Sequence, residues 1–151
     1  MRRVIVDTSC LIILSNINRI DLLQKLYGEI WIPEKVKAEF GEHLESWIKV
    51  KKVNNKEIFK VLSLYLDEGE SEAIVLGIET KDALLVLDDI KARNIAKSLG
   101  IRITGTLGII LKAKEKNLIP FVKIVLSEME KVSFRISEEI KKEILRIAKE
   151  K

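Results

Sequence analysis

The chain has 151 residues, 47% of them hydrophobic and 33% charged, which suits one domain with a single core and argues against disorder. One cysteine, Cys10, and one histidine, His43, exclude an internal disulfide and the usual Cys/His zinc clusters. A net charge of +4, spread without a long Lys/Arg block, is compatible with a polyanionic partner, and 5% aromatic content favours backbone contact over extensive base stacking.

The start, Met1-Arg2-Arg3 and then apolar residues, superficially resembles a signal peptide, but Asp7 interrupts the run and no small-residue cleavage site follows. No stretch is long and uncharged enough to span a bilayer, so a cytoplasmic protein is expected. The abundance of Lys, Glu and Ile resembles thermophile proteins.

Residues 3–6 read as a buried strand, followed by helix over 10–15 and 20–26 with Asn16 and Asn18 between them. A short strand over 29–32 leads into Pro33, which suits the first turn of a helix running to about Phe40. The pattern from Gly41 to Asn55 is poor, and Trp47, Ile48, Val50 and Val53 suggest a short helix and an edge strand. Helices follow over 56–66 and 71–80, then a strand over 84–87, a helix over 90–98 closed by Gly100, a brief strand over 101–103 and a helix over 107–116. Segments 118–131 and 137–149 read as two closing helices on a core of residues 1–115, all one domain over 1–151. The alternation of strands and helices implies right-handed crossovers and a three-layer α/β/α sandwich with a central, mostly parallel sheet.

The acids are the informative feature. The run Val4-Ile5-Val6 ends in Asp7-Thr8-Ser9, and Leu84-Leu85-Val86-Leu87 ends in Asp88-Asp89. In open α/β sheets ligands bind beyond the carboxyl ends of the strands, so these carboxylates stand where chemistry is done. Asp7 has a competing reading as a helix cap, but Thr8 or Ser9 could cap alone. Glu39 means little by itself, since a solvated helix Glu is ordinary. Glu72 opens a helix, Ala73-Ile74-Val75-Leu76-Gly77-Ile78, that is apolar nearly all round and must be buried. A carboxylate there needs a partner, although helix-dipole stabilisation is an equal alternative that Glu68 and Glu70 could also supply. Of Asp88 and Asp89 one would cap the next helix and the other bind metal, with Asp89 the choice and Asp88 the backup. Acids gathered at one place repel, so something cationic must hold them, and one or two Mg²⁺ or Mn²⁺ ions fit an oxygen-only donor set.

Through Val4-Ile5-Val6-Asp7-Thr8-Ser9, Gly69-Glu70-Ser71-Glu72-Ala73-Ile74 and Leu85-Val86-Leu87-Asp88-Asp89 the chain resembles the PIN-domain family of metal-dependent nucleases. Ile32-Pro33-Glu34 and Thr104-Gly105-Thr106-Leu107-Gly108 bring it closest to a prokaryotic subfamily often known only as predicted nucleic-acid-binding proteins. The resemblance implies a catalytic metal site of Asp7, Glu39, Glu72 and Asp89, supported by Ser9 and Thr8. It also implies substrate contacts from Lys91 and Arg93 just after the last acid, and from Thr104 and Thr106, although solvated helix residues and caps are the alternative for these four. Because the family includes ribonuclease toxins of the VapC type, it implies an RNA substrate, a small antitoxin partner and a homodimer. The third acid departs from the family in being Glu rather than the commoner Asp.

Rival readings fit less well. A haloacid-dehalogenase-type phosphotransferase needs a second Asp where Ser9 stands, a receiver domain needs paired acids and a late Lys, and neither phosphate-binding glycine pattern is present. The remaining rival is a non-catalytic module that binds RNA or a protein.

Overall fold

The computed structural model describes residues 2–151. Five short strands, β1 (Arg3–Val6), β2 (Ile30–Pro33), β3 (Ile48–Lys51), β4 (Ala83–Val86) and β5 (Arg102–Thr104), form one parallel sheet in the order β3-β2-β1-β4-β5. Successive side chains of a strand point to opposite faces, which divides the apolar residues between two layers. Val4 and Val6 join Leu84 and Val86 on one face, while Ile5 joins Leu85 and Leu87 on the other.

The first face is covered by α1 (Thr8–Asn16), α2 (Asp21–Tyr27), α3 (Glu34–Phe40), α7 (Thr106–Glu115), α8 (Val122–Lys131) and α9 (Glu138–Ile147). The second is covered by α4 (Lys56–Leu62), α5 (Glu68–Glu79) and α6 (Ile90–Ser98). Both central strands are thus buried on both faces, as the near-continuous apolar runs required. Among the described residues no helix is long and apolar enough to cross a membrane.

The register decides where the acids stand. Val4 pairs with Leu84, Ile5 with Leu85 and Val6 with Val86, so β1 and β4 end level, and the Asp7 N–H donates to the Val86 carbonyl at 3.1 Å. The chain runs outward from β1 to β2 and β3 on one side and from β4 to β5 on the other, making the gap between β1 and β4 the point where strand order reverses. A crevice opens at such a point beyond the strand ends. Asp7 and Asp88 flank it.

Three segments differ from the sequence expectations. No helix forms within 41–55: α3 stops at Gly41 in the left-handed region, and the chain pairs along β2 as β3, with Ile48 buried and Val50 exposed. Helix α5 begins at Glu68 rather than Ser71, because Asp67 and Glu70 close a reciprocal capping box. The segment 118–121 is a turn around Pro120, and α8 starts only at Val122. Its first amides are held by Glu150, which accepts from Val122 N at 2.7 Å, Lys123 N at 3.0 Å and Lys114 Nζ at 2.8 Å, locking the last helix to the two before it.

Candidate active site

Asp7 occupies the N-cap position of α1, yet its side chain caps nothing. It is 5% exposed, and its Oδ1 is buried without a hydrogen-bond partner. A carboxylate in that state is costly, and burial raises its pKa from the ordinary 3.8 to about 7. The Thr8 amide pulls it back, while the charges of Glu70, Asp67 and Glu39 push it further up. Capping, the alternative open at the level of sequence, does not account for Asp7.

The hydroxyls beside it are not caps either. Thr8 Oγ1 donates to Glu39 Oε1 at 2.5 Å, across from α1 to α3. Ser9 Oγ donates to Asp88 Oδ2 at 3.0 Å, across from α1 to the segment after β4. Asp88 also accepts from Thr106, through the amide on Oδ1 at 2.7 Å and the hydroxyl on Oδ2 at 2.6 Å. Thr8, Ser9 and Thr106 therefore orient two acids, Glu39 and Asp88, from separated parts of the chain.

The Asp88-Asp89 pair divides its roles. Asp89, the preferred ligand from sequence, caps α6 by accepting from Ala92 N at 2.9 Å through Oδ2. Asp88, the backup, is the one wired to Ser9 and Thr106. Asp89 still lies near enough to raise the pKa of Glu70.

At the third position two glutamates of α5, Glu70 and Glu72, stand differently. Glu72 is buried, 5% exposed, and its Oε1 accepts from Lys35 N at 2.8 Å, so it satisfies an orphan amide in the first turn of α3. Glu70, two residues earlier and about 200° away around α5, faces the other acids. Burial chiefly, then the charges of Asp67 and Asp89 and more weakly Glu39, raise it to about 7 against the pull of the Asp67 amide. Sequence reasoning missed Glu70, although Asp67-x-x-Glu70 is a capping-box spacing that fixes it at the third helical position, on the turn facing the crevice.

Of the other substrate-contact candidates, Thr106 is buried on Asp88, and Arg93 donates from Nη1 to the Leu87 carbonyl at 2.8 Å, bracing the strand end instead of standing free. Thr104 lies at the end of β5 with its hydroxyl over Gly108. Lys91 is exposed, its ammonium over the ring of Tyr65. Cys10 is fully buried and its thiol is pushed up, chiefly by burial, which leaves thiolate chemistry out of the site.

Gly69 matters here for space rather than conformation. A Cβ on it would stand 2.8 Å from Glu39 Cδ and overlap Oε1. Because the obstacle is the end of a flexible side chain, Gly69→Ala is expected to leave the fold intact, with an unchanged or higher melting temperature, while displacing Glu39. Thermal unfolding of the variant checks the first effect, and a crystal structure of it the second.

The donor set is chemically suited to a hard divalent cation: carboxylate and hydroxyl oxygens only, with one buried carboxylate oxygen lacking a partner. Among the described residues no three acids, histidines or cysteines stand together at ligand spacing, so side chains such as the exposed Glu39 must turn inward to complete a site. Like charges without a cation between them favour the splayed arrangement.

A family model described as "PIN domain" matches residues 3–150. No curated protein and no solved structure matches the chain. The match spans all five strands and both acidic strand ends, as well as the closing helices; the chain belongs to the PIN-domain family, whose members are generally nucleases.

Proposed function

We propose that this protein is a Mg²⁺- or Mn²⁺-dependent endoribonuclease whose site is the crevice between β1 and β4. The observation that carries the reading is the buried, unpartnered Oδ1 of Asp7, held near Glu39 of α3 and Asp67 and Glu70 at the start of α5. A cation there would offset the cost of burying that charge. Asp7, Glu39 and Glu70 would hold it, with Asp88 or the free oxygen of Asp89 completing the set, and Glu72 stays a structural residue on Lys35. One or two bound ions would supply hydroxide from water and stabilise the phosphate oxyanions during in-line displacement.

The chain's own residues do the remainder. Ser9 and Thr106 hold Asp88 from two separate elements, and Thr8 holds Glu39 beside Asp7, from where it would turn toward a cation. Glu70, which stands near Asp7, Glu39 and Asp89, would share in holding the cation. The toxin role implied by resemblance is part of the proposal, and it requires a short neighbouring reading frame for a DNA-binding antitoxin.

The test is cleavage of single-stranded and structured RNA with Mg²⁺, with Mn²⁺ and with EDTA. Cleavage that disappears in EDTA and returns with excess cation is expected. Cleavage that persists in EDTA would contradict the metal-dependent reading, and metal-independent RNA binding without cleavage would favour the binding module.

A further inference from the structure

An exposed aromatic lies close in the chain to the acids of the crevice. Tyr65 lies in the turn after α4, two residues before Asp67, and is 59% exposed. Lys91, two residues after Asp89, places its ammonium 5.7 Å from the centre of that ring. Asp67 and Asp89 both raise the pKa of Glu70, so ring and cation come from the two segments that flank this acid. Leu64 and Ile90, 76% and 75% exposed, extend the apolar surface on either side.

The other aromatic–cation contacts do not share this position. Trp31 is enclosed between Arg3 and Lys51 and donates its indole N–H to Glu29. Phe121, with Lys114, lies at the turn before α8, among the closing helices. Among the described residues, only at Tyr65 does an exposed ring with a cation lie beside the segments that carry the crevice acids.

We propose that Tyr65 is a stacking platform for one unpaired nucleobase of the substrate, with Lys91 on the adjoining phosphate. The proposal rests on the nuclease reading and names its substrate class: single-stranded RNA, or a loop, because a duplex hides the base faces that an aromatic ring contacts. Low aromatic content still rules out stacking along a whole strand. One base beside the scissile phosphate is enough to set the register of cleavage.

The test is binding of labelled single-stranded oligoribonucleotides of about 12 nucleotides, each carrying one abasic position, measured by fluorescence anisotropy in EDTA. Tyr65→Ala should weaken binding of the intact oligonucleotide by about fivefold or more, and Tyr65→Trp should restore it. One abasic position should weaken wild-type binding by a similar factor yet have no further effect on Tyr65→Ala. That coupling is what a merely structural tyrosine would not show. Wild-type binding and cleavage that Tyr65→Ala leaves unchanged would overturn the platform and leave the nuclease reading standing. Failure of the wild type to bind or cleave any RNA would overturn both. Equal affinity for duplex and single strand would overturn the platform alone.

Discussion

Asp7→Asn is expected to abolish RNA cleavage and at the same time to make the metal-free protein more stable at neutral pH. The two effects have one cause. The Asp7 carboxyl is buried with an unpartnered oxygen and titrates at about 7 rather than 3.8. Its folded pKa is raised, so between those values the folded state binds more protons than the unfolded one, and stability falls as pH rises through that window. The favourable contribution is fully present below the unfolded pKa and is lost above about 7. A shift of this size corresponds to a loss on the order of 4 kcal/mol. Asn cannot ionise and avoids that loss. Urea unfolding in EDTA should therefore show wild type and variant closest at about pH 4 and furthest apart near pH 8, with the variant the more stable. Adding Mg²⁺ or Mn²⁺ should stabilise the wild type and narrow the gap, while cleavage by the variant stays down by about a hundredfold or more. A variant less stable than wild type at both pH values in EDTA would mean that Asp7 is a structural residue.

The second large effect separates two glutamates that sequence cannot tell apart. Glu70→Gln should reduce cleavage about a hundredfold, because it removes a charge beside Asp7, Glu39 and Asp89. It should leave folding intact, since Gln can still accept from the Asp67 amide and Asp67 still caps α5. Glu72→Ala should do the reverse, costing about 1–3 kcal/mol through the orphaned Lys35 N–H. Glu72→Gln keeps an acceptor for that amide and should cut RNA nearly as well as wild type. Cleavage rates and urea midpoints of the three variants decide the matter. Loss of cleavage in Glu72→Gln with retention in Glu70→Gln would return the third position to Glu72.

The fold was legible because its signals are local and redundant. Apolar runs ending in Asp7 and Asp88, with helical patterns between them, specify parallel strands and a crevice at their ends without reference to distant residues. The edge segment 41–55 was legible only in part: Trp47, Ile48, Val50 and Val53 suggested an edge strand, which β3 is, and a short helix, which is absent because the chain pairs along β2. The site was readable in outline and not in phase. Both Glu70 and Glu72 stand in one motif, and the rotation of α5 against the sheet decides which faces the crevice and which faces α3. Likewise Asp88 and Asp89 differ only in which oxygen finds Ala92 N and which finds Thr106, a distinction set by the β4–α6 corner. Arg93 was a candidate for substrate through the family resemblance; the Leu87 carbonyl that engages it belongs to the turn geometry.

On the proposed function, the acids between β1 and β4 are a cation site. The most direct measurement is the loss of the free Mn²⁺ electron paramagnetic resonance signal as protein is added, for wild type, Asp7→Asn, Glu70→Gln and Glu72→Gln. Saturable binding by wild type, displaced by Mg²⁺, weakened about tenfold or more in Asp7→Asn and Glu70→Gln and unchanged in Glu72→Gln, is the predicted result. Equal Mn²⁺ affinity in all four proteins, or no binding by the wild type, would contradict it.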